Sequence, residues 1–366
     1  VRELLPASFG ARPQGLRRER ILASPRFQDG RFENTEPVRS PMRRGQALST
    51  MGEYFFGPSV ERRPSAPLPV ESPLQAWSRP PSSGLRATWL GHSTVLLEMD
   101  GVRVLTDPVW GERVSPVTFA GPRRFHPAPV PIDQLPALDA ILVSHDHFDH
   151  LDHLTIRALA RTGTPFVTSL GVGAHLEAWG VDPQRITELD WWQTATVGGV
   201  TFHATPARHF SGRGFGTTNA TLWSSWVIES ARRRVFFSGD TGLTPEFEAV
   251  GARLGPFDLV MLEVGAFHPS WGDIHLGPDN ALLAHAMLGG GTLLPVHWGT
   301  FDLALHAWDQ PAEVLATHAT RTGLHLVTPR PGRAIEPAQI EHVDPWWRAH
   351  RGPRIVAADG VPQLGA

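Results

Sequence analysis

Apolar and β-branched residues alternate in short runs closed by turn residues from Ala87 onward, whereas the first 84 residues hold no long periodic segment. "ATWLGHSTVLLEMDGVRVLTDPVW" (87–110) alternates about an Asp100–Gly101 pair. Asp and Gly tolerate the positive φ of a two-residue turn, so the run predicts a β-hairpin. "DAILVSH" (139–145) predicts a short buried strand, and "LDHLTIRALART" (151–162), with Leu151, Leu154 and Ala158 at helical spacing, predicts a helix. "VTFHATPARH", "LWSSWVIES", "RRVFFSGDT", "DLVMLEVG" and "GTLLPVHW" read as further strands, with helices near 245–254, 278–288 and 311–322. Strands first in hairpins and later alternating with helices predict an α/β domain of two sheets covered by helices. The domain is placed at 85–340, after an N-terminal arm at 1–84 and before a C-terminal tail at 341–366.

Composition narrows the chemistry. The 366 residues include 13 Trp and 18 Phe, enough for a sizeable core, and no Cys, which excludes disulfides and thiolate metal sites. Any metal must use His and carboxylates. No apolar run reaches the 18 or so residues of a membrane span, so a cytoplasmic or peripheral membrane location is expected. Val1 is expected to follow native residues absent from the sequence. All 33 basic residues are Arg, a bias without functional weight. Residues 1–63 carry 12 Arg against 7 acids, a net of +5, so the remainder carries −8 of the overall −3. This basic arm runs into "RRPSAPLPVESPLQAWSRPPSSG" (62–84), an extended connector.

The densest chemistry lies in "ILVSHDHFDHLDH" (141–153), where His145, Asp146, His147, Asp149 and His150 occupy six places. On an extended segment His145, His147 and Asp149 point one way, and a helix starting at His150 folds that residue back toward them. Alternation puts Asp146 on the other side. Four ligands so close do not suit one tetrahedral ion, whereas two ions can share them if imidazoles arrive from elsewhere. His209, Asp240 and His297 each follow a predicted strand and meet that need. His126, His153, His175 and His203 read as structural.

With H-x-H-x-D-H followed by a His, an Asp and a His at strand ends, the chain resembles the metallo-β-lactamase superfamily, an αββα sandwich. "WLGHSTVLLEMDGVRVLTDPVW", "SPVTFAGPRRFHPAP", "FFSGDTG" and "VHWGTF" resemble the branch of N-acylphosphatidylethanolamine-hydrolysing phospholipase D, with L-ascorbate-6-phosphate lactonases more distant. The resemblance spans about 85–310 and, more weakly, "SPRFQDGRFENTEP" in the arm. It implies His145, His147 and His209 on one divalent ion, Asp149, His150 and His297 on another, and Asp240 bridging them. Zn²⁺ suits these ligands, and iron or manganese can take them. A hydroxide between the ions would be the nucleophile.

Further residues complete the expected site. His92 in "LGHST" is expected to hydrogen-bond a ligand. His275 in "WGDIHLGP" is expected to contact a phosphate or protonate the leaving oxygen, joining Asp149 and Asp240 in catalysis. Arg123 and Arg124 in "FAGPRRF" are expected to meet a phosphate beside Phe119 and Phe125. Tyr54, Phe55 and Phe56 in the arm are expected to pack against the domain, the alternative being an apolar wedge for peripheral membrane contact. The resemblance implies a phospholipase D-type hydrolase of N-acylphosphatidylethanolamine. Alternatives are a lactonase or soluble phosphodiesterase on the same centre, or a catalytically silent metal-binding protein. The domain has no basic stripe with interleaved aromatics, so no nucleic acid is expected. Oligomeric state is not readable.

Overall fold

The computed structural model describes residues 6–38, 60–268 and 271–352, so Tyr54, Phe55 and Phe56 lie outside the described residues. In the arm, β1 (Phe27–Gln28) and β2 (Arg31–Phe32) form a small antiparallel ribbon. The domain's strands follow: β3 (Leu85–Gly91), β4 (Thr94–Met99), β5 (Val102–Thr106), β6 (Ala140–Val143), β7 (Phe166–Ser169), β8 (Ile186–Leu189), β9 (Thr194–Val197) and β10 (Val200–Thr205). β11 (Ser225–Glu229), β12 (Arg234–Phe237), β13 (Leu259–Glu263), β14 (Thr292–Val296) and β15 (Ala334–Ile335) complete them. They make two sheets, ordered β15-β3-β4-β5-β6-β7-β8 and β14-β13-β12-β11-β10-β9. Each is antiparallel at one side and parallel at the other, β5 to β8 and β12 to β14 being the parallel parts.

Side-chain alternation explains the layering. In β6, Ala140 and Leu142 enter the core between the sheets, while Ile141 and Val143 enter a second cluster with Ile156, Leu159 and Leu176 of the covering helices. Burial on both faces is why this strand reads as an unbroken apolar run. Helices Glu246–Leu254, Gly277–Met287 and Gln310–Thr322 pack on the other sheet, Phe247 meeting Phe236 edge-on at 6.1 Å. The predicted hairpin is β4–β5, with Met99 opposite Val102 and positive φ at Asp100 and Gly101. The strands β7, β8, β9 and β15 are not among those predicted; two of them begin at Phe166 and Ile186, short runs of 4 residues without a hairpin signal.

Two expectations need correction. The helix expected from Leu151 is His153–Leu159, capped by Asp152, whose carboxylate accepts from Leu154 N–H and Thr155 Oγ and also from Gly111 N–H. A good N-cap residue fixes the start there. His150 therefore lies in a preceding turn, where His150 and Leu151 N–H both bond the His147 carbonyl, and the run is not extended beyond β6. The predicted tail also brings Trp346 and Trp347 into the main core, 4% and 0% exposed, with Trp346 tilted against Trp298 at 5.6 Å. Arm residues Ile21 and Phe32 are fully buried with Trp191, Leu222 and Trp223, and Arg17 pairs with Glu188 at 2.5 Å, so the arm wraps over the domain.

Candidate metal centre

The strand ends converge on one edge of the sandwich. The His145–His150 turn follows β6, His209 follows β10, Asp240 follows β12 and His297 follows β14, while His92 sits in the β3–β4 turn. Three non-glycine residues here have positive φ: His92 at 53°, Asp107 at 34° and His297 at 63°. Each such conformation costs on the order of 1–3 kcal/mol and persists only where the surroundings over-determine it. His297 N–H donates to the His92 carbonyl at 3.0 Å. A Cβ on Gly265 would stand 2.1 Å from the His297 carbonyl oxygen, so only glycine permits this approach.

Three sets of potential ligand atoms result: His145, His147, His209 and Asp240; His92, Asp149, His150 and His297; and Asp240, Glu263, His275 and His297. Asp240 faces the first two. Its Oδ1 lies 3.1 Å from His150 Nε2 and 3.2 Å from His297 Nε2, and its Oδ2 lies 3.7 Å from His209 Nε2 and 3.9 Å from His145 Nε2. His147 Nδ1 stands 2.9 Å from His145 Nε2 and 3.2 Å from His209 Nε2. Asp149 Oδ2 lies 3.3 Å from His297 Nε2 and 3.6 Å from His150 Nε2. The seven side chains singled out in the sequence thus stand together, and Asp146 stands apart, accepting from Gly212 N–H at 2.8 Å.

These residues fit metal binding. His150 Nε2, His297 Nε2 and Asp240 Oδ1 are buried without an oriented hydrogen-bond partner, and burying such atoms costs free energy unless something binds them. Against the effect of burial, neighbouring His150 and His297 hold the Asp240 carboxyl well below the usual range, as His150 does Asp149. Those carboxylates in turn overcome burial to lift His297 to about 10 and His150 well above its ordinary value. Burial and the adjacent imidazoles push His145 well down, and burial does the same to His209 despite Asp240. The pocket therefore combines neutral nitrogen lone pairs with a demand for positive charge.

A surrounding set of bonds aims the imidazoles. Asp107, which the sequence reading missed, accepts from Ser144 N–H at 2.7 Å, from Ser144 Oγ at 2.6 Å and from His150 Nδ1 at 2.6 Å. Ser144 Oγ in turn accepts from His145 Nδ1 at 2.9 Å. One carboxylate thereby keeps two imidazoles protonated at Nδ1 with Nε2 turned inward. Burial pushes the Asp107 carboxyl up, but His150 and Ser144 favour its ionised form, and every neighbour named is a donor. His209 Nδ1 donates to the Ile274 carbonyl at 2.9 Å, and the Asn34 amide of the arm grips the His209 backbone at both N–H and C=O, 3.0 and 2.8 Å. His92 Nε2 lies 3.0 Å from Asp149 Oδ2; burial, then His297, lower it to about 3, so the neutral ring donates.

His275 lies in this region, its ring 5.1 Å from that of His209 and 5.4 Å from that of His297. Glu263, also missed, bonds its Nδ1 at 3.1 Å. Nothing in a lone carboxylate at the end of an apolar strand marks it out in sequence. Arg124 is half-buried and donates to the carbonyls of Val109, Leu90 and His126, and Arg123 pairs at the surface with Glu112 at 2.5 Å. A cavity of about 500 Å³ bounded by Phe32, Asn34, Val38, Phe210 and Ile274 opens against His209. No helix among the described residues is long and apolar enough to cross a membrane.

Comparison with known proteins adds four findings. A β-lactamase superfamily domain model matches residues 102–298. An uncharacterized protein of Mycobacterium tuberculosis is 45% identical over 347 residues, 94% of this chain and 92% of its own. The N-acyl-phosphatidylethanolamine-hydrolyzing phospholipase D 1 of Caenorhabditis elegans is 37% identical over 258 residues, covering 67% of this chain and 72% of that protein. Among solved structures, an isothiocyanate hydrolase from Delia radicum gut bacteria superposes with a TM-score of 0.55 over 69% of this chain and 98% of its own, at 22% identity, a likeness of fold.

Proposed function

Because this chain belongs to the metallo-β-lactamase superfamily and is a metal-dependent hydrolase, we propose that it hydrolyses phosphodiester lipids by phospholipase D-type cleavage. An N-acylphosphatidylethanolamine would yield phosphatidic acid and an N-acylethanolamine. The observation that carries the reading is Asp240, whose two oxygens face different sets of imidazoles. His145, His147 and His209 would hold one ion and Asp149, His150 and His297 the other, with Asp240 shared; Zn²⁺ suits this nitrogen-rich set. Bound there, a pair of divalent ions supplies Lewis acidity at a phosphoryl oxygen and a water of near-neutral pKa.

The chain's own residues supply the rest. His92 holds the Asp149 carboxylate, and Asp107 holds His150 and, through Ser144, His145. His275 gives the proton that the leaving alkoxide needs. The cavity beside His209, walled by Phe32, Val38, Phe210 and Ile274, suits an acyl chain. Phe119 and Phe215, 81% and 100% exposed, suit peripheral contact with a bilayer. Their loops flank arm residue Ser8, whose hydroxyl bonds the Pro116 carbonyl and whose carbonyl accepts from Arg213. The lipid assignment also draws on the phospholipase D of Caenorhabditis elegans. The engagement of Arg123 and Arg124 elsewhere favours a second reading, an uncharged ester or lactone.

Mass spectrometry of products from metal-loaded protein with a panel of phospholipids and lactones tests the proposal. The expected result is release of N-acylethanolamine with phosphatidic acid. Lactone opening without head-group release would establish the second reading, and retained metal with no hydrolysis would make the protein a silent metal binder.

A further inference from the structure

Strand β13 ends in Glu263, a fully buried carboxylate. Its Oε1 accepts from Thr241 N–H at 3.1 Å and from Leu276 N–H at 3.0 Å. Both oxygens approach His275 Nδ1, at 3.2 and 3.1 Å. The two main-chain donors fix the carboxylate from one side, and the imidazole takes the other. A ligand role is the rival, because Asp240, Glu263, His275 and His297 also bring one ligand atom each within 4.8 Å of the others. His275 Nδ1 lies nearer both Glu263 oxygens, at 3.2 and 3.1 Å, than Asp240 Oδ2, at 4.0 Å, which favours a hydrogen-bonding role over ligation.

We propose that Glu263 is a positioning residue that sets the tautomer and orientation of His275, so that Nε2 is the nitrogen free to exchange protons with the substrate. This rests on the reading of His275 as proton donor. An ionised carboxylate only accepts, so it keeps a proton on Nδ1 in every charge state of the ring. As the phosphorus–oxygen bond to the head group breaks, its electron pair goes to the leaving oxygen. The proton on Nε2 goes with it, leaving neutral His275 protonated at Nδ1. Water supplies the new oxygen on phosphorus, and a proton from that water restores Nε2.

Glu263→Gln is the informative change because the two main-chain N–H groups demand an oxygen at Oε1. The amide NH₂ must then face His275 Nδ1, which becomes an acceptor, and the ring proton moves to Nε2. The neutral ring can no longer hold a second proton without setting two donors against each other. In zinc-loaded protein labelled with ¹⁵N-histidine, the His275 nitrogen shifts should change from the Nδ1–H to the Nε2–H form. Metal content and the unfolding midpoint should stay at wild-type values. Hydrolysis of a phospholipid should fall roughly 10²-fold or more, and that of a p-nitrophenyl phosphodiester, whose leaving group needs no proton, only a few-fold. Combined with His275→Ala the loss should be no larger than for His275→Ala alone.

Unchanged nitrogen shifts, wild-type turnover of lipid, or loss of metal would each overturn the assignment, the last by making Glu263 a ligand or scaffold. Equal losses on both substrates for His275→Ala would instead remove the proton-donor reading, while the nitrogen shifts would still decide whether Glu263 holds the ring.

Discussion

Asp107→Asn should damage the metal centre without touching a ligand. The change is isosteric, and the Asn oxygen can keep the 2.7 Å bond from Ser144 N–H. Its amide nitrogen then faces His150 Nδ1, which lies 2.6 Å from Asp107 Oδ2. That nitrogen must lose its proton, and the ring proton moves to Nε2, the atom 3.1 Å from Asp240 Oδ1. Ser144 Oγ accepts from the new amide and turns its hydrogen to His145 Nδ1, so the second imidazole flips as well. Restoring a ligating Nε2 on His150 forfeits a charge-assisted hydrogen bond worth about 1.5–3 kcal/mol. At about 1.4 kcal/mol per factor of ten, zinc affinity should fall roughly 10- to 150-fold. The measurement is competition between metal-free protein and a chromophoric zinc chelator, with the unfolding of the metal-free variant as control. An affinity within threefold of wild type would refute the argument that Asp107 aims these imidazoles.

Four further changes test the surrounding fold. Trp347→Ala removes a fully buried ring from the main core and should cost about 3–5 kcal/mol in denaturant unfolding, against little change if residues beyond 340 were an appendage. Arg124→Ala strips donors from three buried-segment carbonyls and should destabilise by about 2–4 kcal/mol, whereas Arg123→Ala at its exposed pair should stay within about 0.5 kcal/mol. Equal effects of the two would contradict the division. Although partial burial opposes it, Arg348, Trp347 and Arg351 hold the Glu313 carboxyl down to about 2. A depressed carboxylate stabilises above the unfolded pKa, so this contribution is full above pH of about 4.5 and lost as pH falls toward 2. The gap in unfolding midpoint between wild type and Glu313→Gln should close over that window, and a constant gap would contradict the pairing.

Much of the candidate centre was legible because its atoms crowd into one turn and the rest close strands. His145 to His150 occupy a single run, and His209, Asp240 and His297 each follow an apolar strand that has to end at a sheet edge. Asp107 and Glu263 were not legible. Asp107 is one acidic residue after a strand and Glu263 the last residue of one, and their importance arises only from pairing: β5 beside β6 in parallel, with Thr106 opposite Leu142, sets Asp107 next to Ser144. The partners of Arg124 were not legible either, the carbonyl it meets at Leu90 being 34 positions away. His147 to Asp149 were read as extended because alternating His and Asp mimic a strand, and the helix was started at His150 because the cap at Asp152 was overlooked. Trp346 and Trp347 carried a strong apolar signal in a stretch otherwise rich in polar and proline residues, and distance from the other strands hid their place in the core.

Elemental analysis of catalytically active protein purified without chelator bears most directly on the central claim. Because both imidazole sets share Asp240, the account predicts close to two transition-metal ions per chain, with Asp240→Ala losing metal and activity together. Fully active protein carrying one ion or none, or an Asp240→Ala variant that keeps both ions, would contradict it.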